Sequence, residues 1–407
     1  MPQKKPVIIF VGLIALALIL YQVPPIKQRL SWRIEVAKTY LRGIIYPAGP
    51  VPTAQPSPTS STIPTIPTNQ PTPTLETAKT ITTTPTLTPE PLPAQMVLPV
   101  PAYELQDMNN CGPATLTMAL RYYGWDGDQT NIANIIKPIP QDRNVNPEEM
   151  AYYVRNYAGW LRIQYRVGGT LEQLKRLIAA GYPVIIEEVF HFEAPYWPND
   201  DLWAAHYMFL TAYDDASETF TGQDSFHGPN QKLNYETLTT DWLPFNNVYM
   251  VIYLPEEEAE VQQLLGDDWS EETNRQNALQ ASLRATEADP NDAYALFNLG
   301  TNLLAFERYA ESADAYNRAR ELDLPQRMMR YQFGPFITYF QANQIQDLLT
   351  LTEYALQRTP NSEEALLWHG WALYRQGDLK GAIDDWETAL KHRPDYIDAQ
   401  YALDFVR

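Results

Sequence analysis

Five patterns of apolar and polar positions follow one another along the chain, and each predicts a different kind of element. Val7–Val23 (VIIFVGLIALALILYQV) carries no charge and is almost wholly apolar. As a helix it rises about 25 Å, the low end of what crosses a bilayer. Pro24 and Pro25 follow it in place of a small-x-small cleavage site, so an uncleaved anchor is expected rather than a signal peptide. Residues 26–46 are basic, which fits an interfacial helix against anionic headgroups and closes a membrane-anchoring segment over 1–46. From 47 to 100 the periodicity disappears and Pro, Thr and Ser dominate (for example PTAQPSPTSSTIPTIPTNQPTPT). Such a composition buries no core and predicts a disordered, extended stalk.

Between 101 and 255 helical and strand periods alternate. Leu116, Ala119, Leu120 and Tyr123 fall at i, i+3, i+4 and i+7, with Gly124 ending the run. Gln129–Ile136 is a second short helix. Asn146-Pro147-Glu148-Glu149 supplies an N-cap, a proline at N1 and acids in the first turn for a third, running to Tyr157. Arg162–Val167 alternates as a strand. Thr170 and Gln173 form a capping box that opens a helix stopping at Gly181. Pro183–Val189 and Val248–Leu254 read as strands, and His206–Tyr213 and Glu218–Asp224 as a hairpin turning across Asp214–Ser217. Helices first and antiparallel strands later predict an α+β domain with its helices on one face of the sheet.

From 256 to 407 a period of about 34 takes over, the spacing of helix-turn-helix repeats. Gly266, Gly300 and Gly370 share one phase, Pro290, Pro360 and Pro394 a second, Ala278, Ser312 and Ala382 a third, and Ala285, Ala319, Ala355 and Ala389 a fourth. The pattern resembles tetratricopeptide repeats, with units near 259–292, 293–327, 328–362 and 363–396 and a terminal helix over 396–407. The third unit departs from it. Phe336 stands at the glycine phase, and Thr352 at the aromatic phase that Tyr316 and Trp386 fill.

Charge sharpens this division. The net charge of −19 is unsuited to nucleic acid, which needs a basic surface. Residues 1–46 hold seven cations against Glu35 alone, so a basic membrane-proximal end precedes acidic domains. A Thr/Pro stalk of this kind usually stands outside a cell, which places the folded domains on the extracytoplasmic side.

Cys111, the one cysteine in 407 residues, stands where a loop gives way to the first helix of the α+β domain. The positive end of the helix dipole and the unpaired N–H groups there favour thiolate over thiol. A cysteine nucleophile needs a base and a group to orient that base. Of His191, His206 and His227, hairpin arithmetic favours His206, because a turn centred on 215 or 216 sets it opposite Asp224 or Ser225. No comparable acid is expected opposite the other two. Gln106, five residues before the cysteine, is an uncharged donor suited to an oxyanion, together with the Cys111 N–H. His191, His206, His227 and Asp224 lack the tight spacing of a metal site, and neither metal nor cofactor is expected. The aromatic loop His191–Trp203 is placed to wall a substrate groove.

Gln106-x4-Cys111-Gly112-Pro113-Ala114, followed by Met118 and Tyr122-Tyr123-Gly124, resembles cysteine peptidase family 39, which removes double-glycine leaders from bacteriocins, and most of all its members without a transporter. The resemblance implies a papain-like fold with Cys111 as nucleophile, His206 as base, Asp224 as its orienting acid and Gln106 as oxyanion donor. Ser225 follows Asp224 where the family has proline, and Ala204-Ala205 precede His206 where it usually has glycine. The function expected is a membrane-anchored thiol hydrolase of peptides, with the repeats docking a substrate or protein partner. A non-enzymatic surface adaptor on a retired peptidase scaffold is one alternative, and acyl transfer or cell-wall amide cleavage by the same triad another.

Overall fold

The computed structural model describes residues 24–55, 91–137 and 144–407. The expected span Val7–Val23 and the greater part of the stalk lie outside the described residues. Among those described, no helix is long and apolar enough to cross a membrane.

Helix α1 (Pro24–Ile45) comes first. Strand β1 (Gln95–Val97) precedes three helices, α2 (Cys111–Tyr122), α3 (Gln129–Ile136) and α4 (Pro147–Tyr157). Then come β2 (Arg162–Arg166), α5 (Leu171–Ala179), β3 (Val184–His191), β4 (Trp203–Asp214), β5 (Thr219–Asp224), β6 (Gly228–Asn234), α6 (Tyr235–Trp242) and β7 (Tyr249–Tyr253). The strands form one antiparallel sheet in the order β2-β7-β3-β4-β5-β6, with β1 added beside β4. The caps read from sequence have direct counterparts. Asn146 and Glu149 close a reciprocal capping box, while Thr170 caps α5 alone, because the Gln173 amide donates instead to the Leu264 carbonyl.

Helices cover both faces of the sheet rather than the one expected. On one face α2, α3 and α4 bring Leu116, Leu120, Ile132 and Val154 against Ile185, Tyr207, Phe209 and Met250. On the other, α5 and α6 set Leu174, Leu177, Leu238 and Trp242 against Val184, Met208, Leu210 and Val251. The physical cause is visible in β7, whose five residues are all buried, so neither face of the central strands can meet water.

The hairpin register also differs from the simple count. Near its turn Asp214 pairs with Thr219, and after a bulge at Thr211 Met208 pairs with Asp224. Had the register at the turn continued, Asp224 would lie opposite Phe209, on the face away from His206. The bulge restores it to the His206 face, two positions along.

The solenoid follows: α7 (Glu258–Leu265), α8 (Glu271–Ala288), α9 (Ala293–Leu304), α10 (Tyr309–Arg320), α11 (Met328–Tyr331), α12 (Gly334–Gln341), α13 (Ile345–Arg358), α14 (Glu363–Gln376), α15 (Leu379–His392) and α16 (Ile397–Val406). A Cβ on Gly300 would stand 2.8 Å from the Tyr316 ring, and one on Gly370 2.4 Å from Trp386. Glycine and aromatic phases are therefore the two sides of one contact. In the third unit Phe336 and Thr352, at the same separation, are both fully buried, with large and small exchanged.

Solenoid and sheet share a core. Trp203, Phe245 and Val248 belong to one cluster with Leu296, Phe297 and Met328. Arg327 reaches across to Asp200, with Nη1–Oδ1 at 2.5 Å and Nη2–Oδ2 at 2.6 Å, both side chains buried. The Asn246 and Asn302 amides bond each other, and Arg393 meets Glu149 at 2.6 Å. The expected stalk, 47–100, is ordered at both ends. Residues 95–97 pair with β4, and the carbonyls of Pro47, Gly49, Pro52 and Thr53 accept from solenoid side chains. Composition reports what a segment cannot bury alone, and says nothing of acceptors that another domain satisfies.

Candidate active site

Cys111 is the first residue of α2. Its N-cap, Asn110, makes no side-chain cap bond, so the first turn keeps its N–H groups open toward the site. The preceding loop is held by Gln129, whose Oε1 accepts from the Asp107 N–H at 2.6 Å and from Asn110 Nδ2 at 3.1 Å. Asn109 takes a left-handed φ of 58°, and Lys137 Nζ donates to its carbonyl at 2.7 Å. A Cβ at Gly112 would stand 3.0 Å from the Val145 side chain, a tight contact that Val145 would have to yield to. The Thr115 hydroxyl donates to the Tyr207 carbonyl, tying α2 to β4 beside His206.

His206 is buried near the start of β4. Its Nε2 lies 2.8 Å from Asp224 Oδ1, which leaves Nδ1 for the hydrogen bond with Cys111. Asp224 Oδ1 also accepts the Phe226 and His227 N–H groups at 2.7 and 3.1 Å, and Oδ2 accepts from His227 Nδ1 at 2.7 Å. A carboxylate holding four donors is locked in place and kept ionised. Contrary to expectation, therefore, His227 does have an acid, the same one as His206. The half-exposed His227 and the buried His206 flank Asp224 from opposite sides. His191 ends β3, exposed and paired with Trp203.

The charges follow from this geometry. Burial presses the His206 pKa down, but the hydrogen bonds and charges of Asp224 and Cys111 prevail and push it up to about 10. Burial likewise works against the Cys111 thiolate. The His206 hydrogen bond and charge, Lys137 and the Tyr207 N–H outweigh it and lower the thiol pKa. Asp224, despite burial, is held well below the usual carboxylate range by His206 and the backbone N–H of Phe226. The geometry thus favours an imidazolium–thiolate pair backed by a carboxylate.

Gln106 joins this group through the residue that departs from the family pattern. Ser225 Oγ donates to Gln106 Oε1 at 2.8 Å, and the Gln106 N–H donates to the Ser225 carbonyl at 2.8 Å. With its oxygen engaged, the amide keeps Nε2 as its donor, and Gln106 lines a cavity. That cavity, about 500 Å³, contains Cys111 and His206. Phe192, Tyr196 and Trp197 of the expected aromatic loop line it, with Phe190 just before that loop. Two further walls are absent from the sequence reading: Arg330 and Tyr331 from the solenoid, and Val36 and Thr39 from α1. Among the described residues no group of three His, Cys, Asp or Glu is placed to hold a metal ion.

Residues 91–250 match the Peptidase_C39 like family, and residues 266–323 and 337–402 match the tetratricopeptide repeat. Residues 91–250 are thus similar to C39-like peptidases, and tetratricopeptide repeats follow them. No curated protein matches the chain. Among solved structures, a putative C39-like peptidase from Bacillus anthracis is 18% identical over 39% of this chain and 96% of its own, with a TM-score of 0.31. Xylellain, a cysteine protease from Xylella fastidiosa, is 14% identical over 40% of this chain and 87% of its own, at 0.31. The peptidase domain of Streptococcus ComA, a bi-functional ABC transporter of a quorum-sensing pathway, is 13% identical over 38% and 99%, at 0.30.

Proposed function

We propose that this protein is a membrane-anchored cysteine peptidase that hydrolyses an amide bond of a peptide or protein, with Cys111, His206, Asp224 and Gln106 as its catalytic group. The observation that carries this reading is the His206–Asp224 bond of 2.8 Å beside a thiol of lowered pKa at the start of α2. The Cys111 thiolate attacks the carbonyl carbon, forming a C–S bond as the oxygen takes up the electron pair. Gln106 Nε2 and the Cys111 N–H donate to that oxyanion. His206 Nδ1 gives its proton to the nitrogen as the C–N bond breaks, leaving a thioester and a free amine. Neutral His206 then takes a proton from water, whose oxygen displaces the sulfur, and the acid departs as the imidazolium–thiolate pair returns. Asp224 keeps the ring oriented throughout.

The test is peptidase turnover and native-state alkylation of the full chain beside C111A and H206A. The full chain is needed because solenoid side chains line the cavity. A Cys111 that resists alkylation under native conditions would sink the proposal. The amphipathic pattern of α1 supports the membrane location. Leu30, Ile34, Leu41 and Ile45 lie along one exposed stripe, flanked by Arg33, Lys38 and Arg42. An extracytoplasmic placement predicts that residues 56–90 are cut by protease added to intact cells.

A further inference from the structure

Residues 46–55 cross the solenoid as an extended strap, and the contacts they make are largely to main chain. Arg358 donates from Nη1 to the Tyr46 carbonyl and from Nη2 to that of Pro47, both at 3.0 Å. The Tyr354 hydroxyl donates to the Gly49 carbonyl at 3.0 Å. Arg320 donates from Nε to Pro52 at 2.7 Å and from Nη2 to Thr53 at 3.1 Å, and Asp347 accepts the Gln55 N–H at 3.1 Å. Arg320 and Asp347 are themselves paired at 2.9 Å and buried. Val51 is 3% exposed and sits in the solenoid core cluster. Pro47, Pro50 and Pro52 fix the chain extended and bring no N–H groups that would need partners. Two arginines and a tyrosine thus read carbonyls, and an aspartate reads an N–H, along a pre-ordered segment, and one apolar side chain sets the register.

The strap continues α1, and α1 has two different faces. Its outer stripe is exposed, whereas Val36 and Thr39 face the cavity that holds Cys111. Gly43 closes the join, since a Cβ there would stand 2.3 Å from Trp197 Cβ. Arg358, which holds the strap, also lies 5.9 Å from the Trp197 ring. Strap, arginine, aromatic loop and α1 therefore form one continuous set of contacts from solenoid to thiol.

We propose that the surface formed by Arg320, Asp347, Tyr354 and Arg358 is a receptor for extended, proline-containing peptide segments, that residues 46–55 are its ligand in cis, and that their docking keeps α1 as a roof over Cys111. A partner segment of the same chemistry displaces the strap and opens the site. This goes beyond the peptidase reading and does not depend on it, because thiol reactivity and peptide binding report it without turnover.

Two full-chain variants, V51D and G43V, alter the strap and α1 while leaving residues 91–407 unchanged. V51D removes the apolar register point. It should raise the rate of Cys111 alkylation by iodoacetamide several-fold and open residues 46–55 to limited proteolysis. G43V pushes α1 from Trp197, and should speed alkylation while the strap stays protected. A fluorescent synthetic peptide of residues 46–55 should bind V51D at least about tenfold more tightly than the unaltered chain, where the cis segment competes at roughly millimolar effective concentration. It should not slow alkylation of V51D, since a free peptide carries no roof. The proposal is overturned if both variants alkylate at the unaltered rate, or if V51D binds the peptide no better than a scrambled one.

Discussion

At the scale of single residues, one carboxylate decides the site. Asp224 holds His206 charged to about pH 10, and the imidazolium in turn lowers the Cys111 pKa against the effect of burial. An acid whose pKa is lowered keeps its charged form as pH falls. An ordinary thiol loses roughly tenfold of its thiolate between pH 8.5 and 7, so Cys111 alkylation should fall far less across that range. In H206A burial is opposed only by Lys137 and the Tyr207 N–H, and the rate should drop steeply below pH 9. Equal profiles for the two chains would refute the ion pair. Peptidase turnover should decline as pH rises through about 10, where His206 loses the proton needed by the leaving amine. Gln106→Ala should lower kcat by about 10²–10³ if it holds the oxyanion. S225A should cost less and act on kcat rather than KM, because the hydroxyl only orients the amide. That Gln106, Cys111 and His206 meet in one cavity was legible from spacing and strand position. The second bond of Asp224, to His227, was not. Its signal was the Asp-x-x-His spacing around a tight turn, which brings position i+3 back to i.

At the scale of elements, periodicity located most helices and strands within a residue or two, because a buried stripe or face repeats at 3.6 or 2 positions. β6 and α6 were missed: Gly228–Asn234 is polar and largely exposed, and carries no apolar alternation. The repeat phases proved more informative than the repeat lengths. Glycine against aromatic is one contact, and the third unit keeps its volume by exchanging the sides, with Phe336 and Thr352 both buried. Truncating Phe336 to Ala should therefore cost about 3–5 kcal/mol by leaving a cavity. T352F alone should overpack and destabilise by about 1–3 kcal/mol. The double variant F336A/T352F should be more stable than the sum of the two, measured by chemical denaturation. Strict additivity would show that the two positions do not share the space.

At the scale of the whole molecule, solenoid and sheet act as one body around the cavity. Arg327 is buried against Asp200 and lies 3.9 Å from the Trp197 ring, so it fixes the aromatic loop from outside the peptidase region. Asp200→Ala would leave the buried guanidinium only Asp201 at 3.3 Å and the Trp203 carbonyl at 3.0 Å, at a cost of up to about 3–5 kcal/mol. It should also loosen the loop, raising protease cleavage between His191 and Trp203 under native conditions. Unchanged stability would mean that the pair contributes nothing net. By itself the sequence determined the order of the parts, the helical and strand periods, the repeat phase and the position of the thiol at a helix start. Each of these is a local pattern, or a pattern repeated along one chain. Only the tertiary structure decided the rest: the bulge at Thr211 that turns Asp224 toward His206, the helices on the second face, the solenoid wall of the cavity and the docking of 46–55. Those depend on which distant groups satisfy one another's hydrogen bonds, charges and volume, and no periodicity records that.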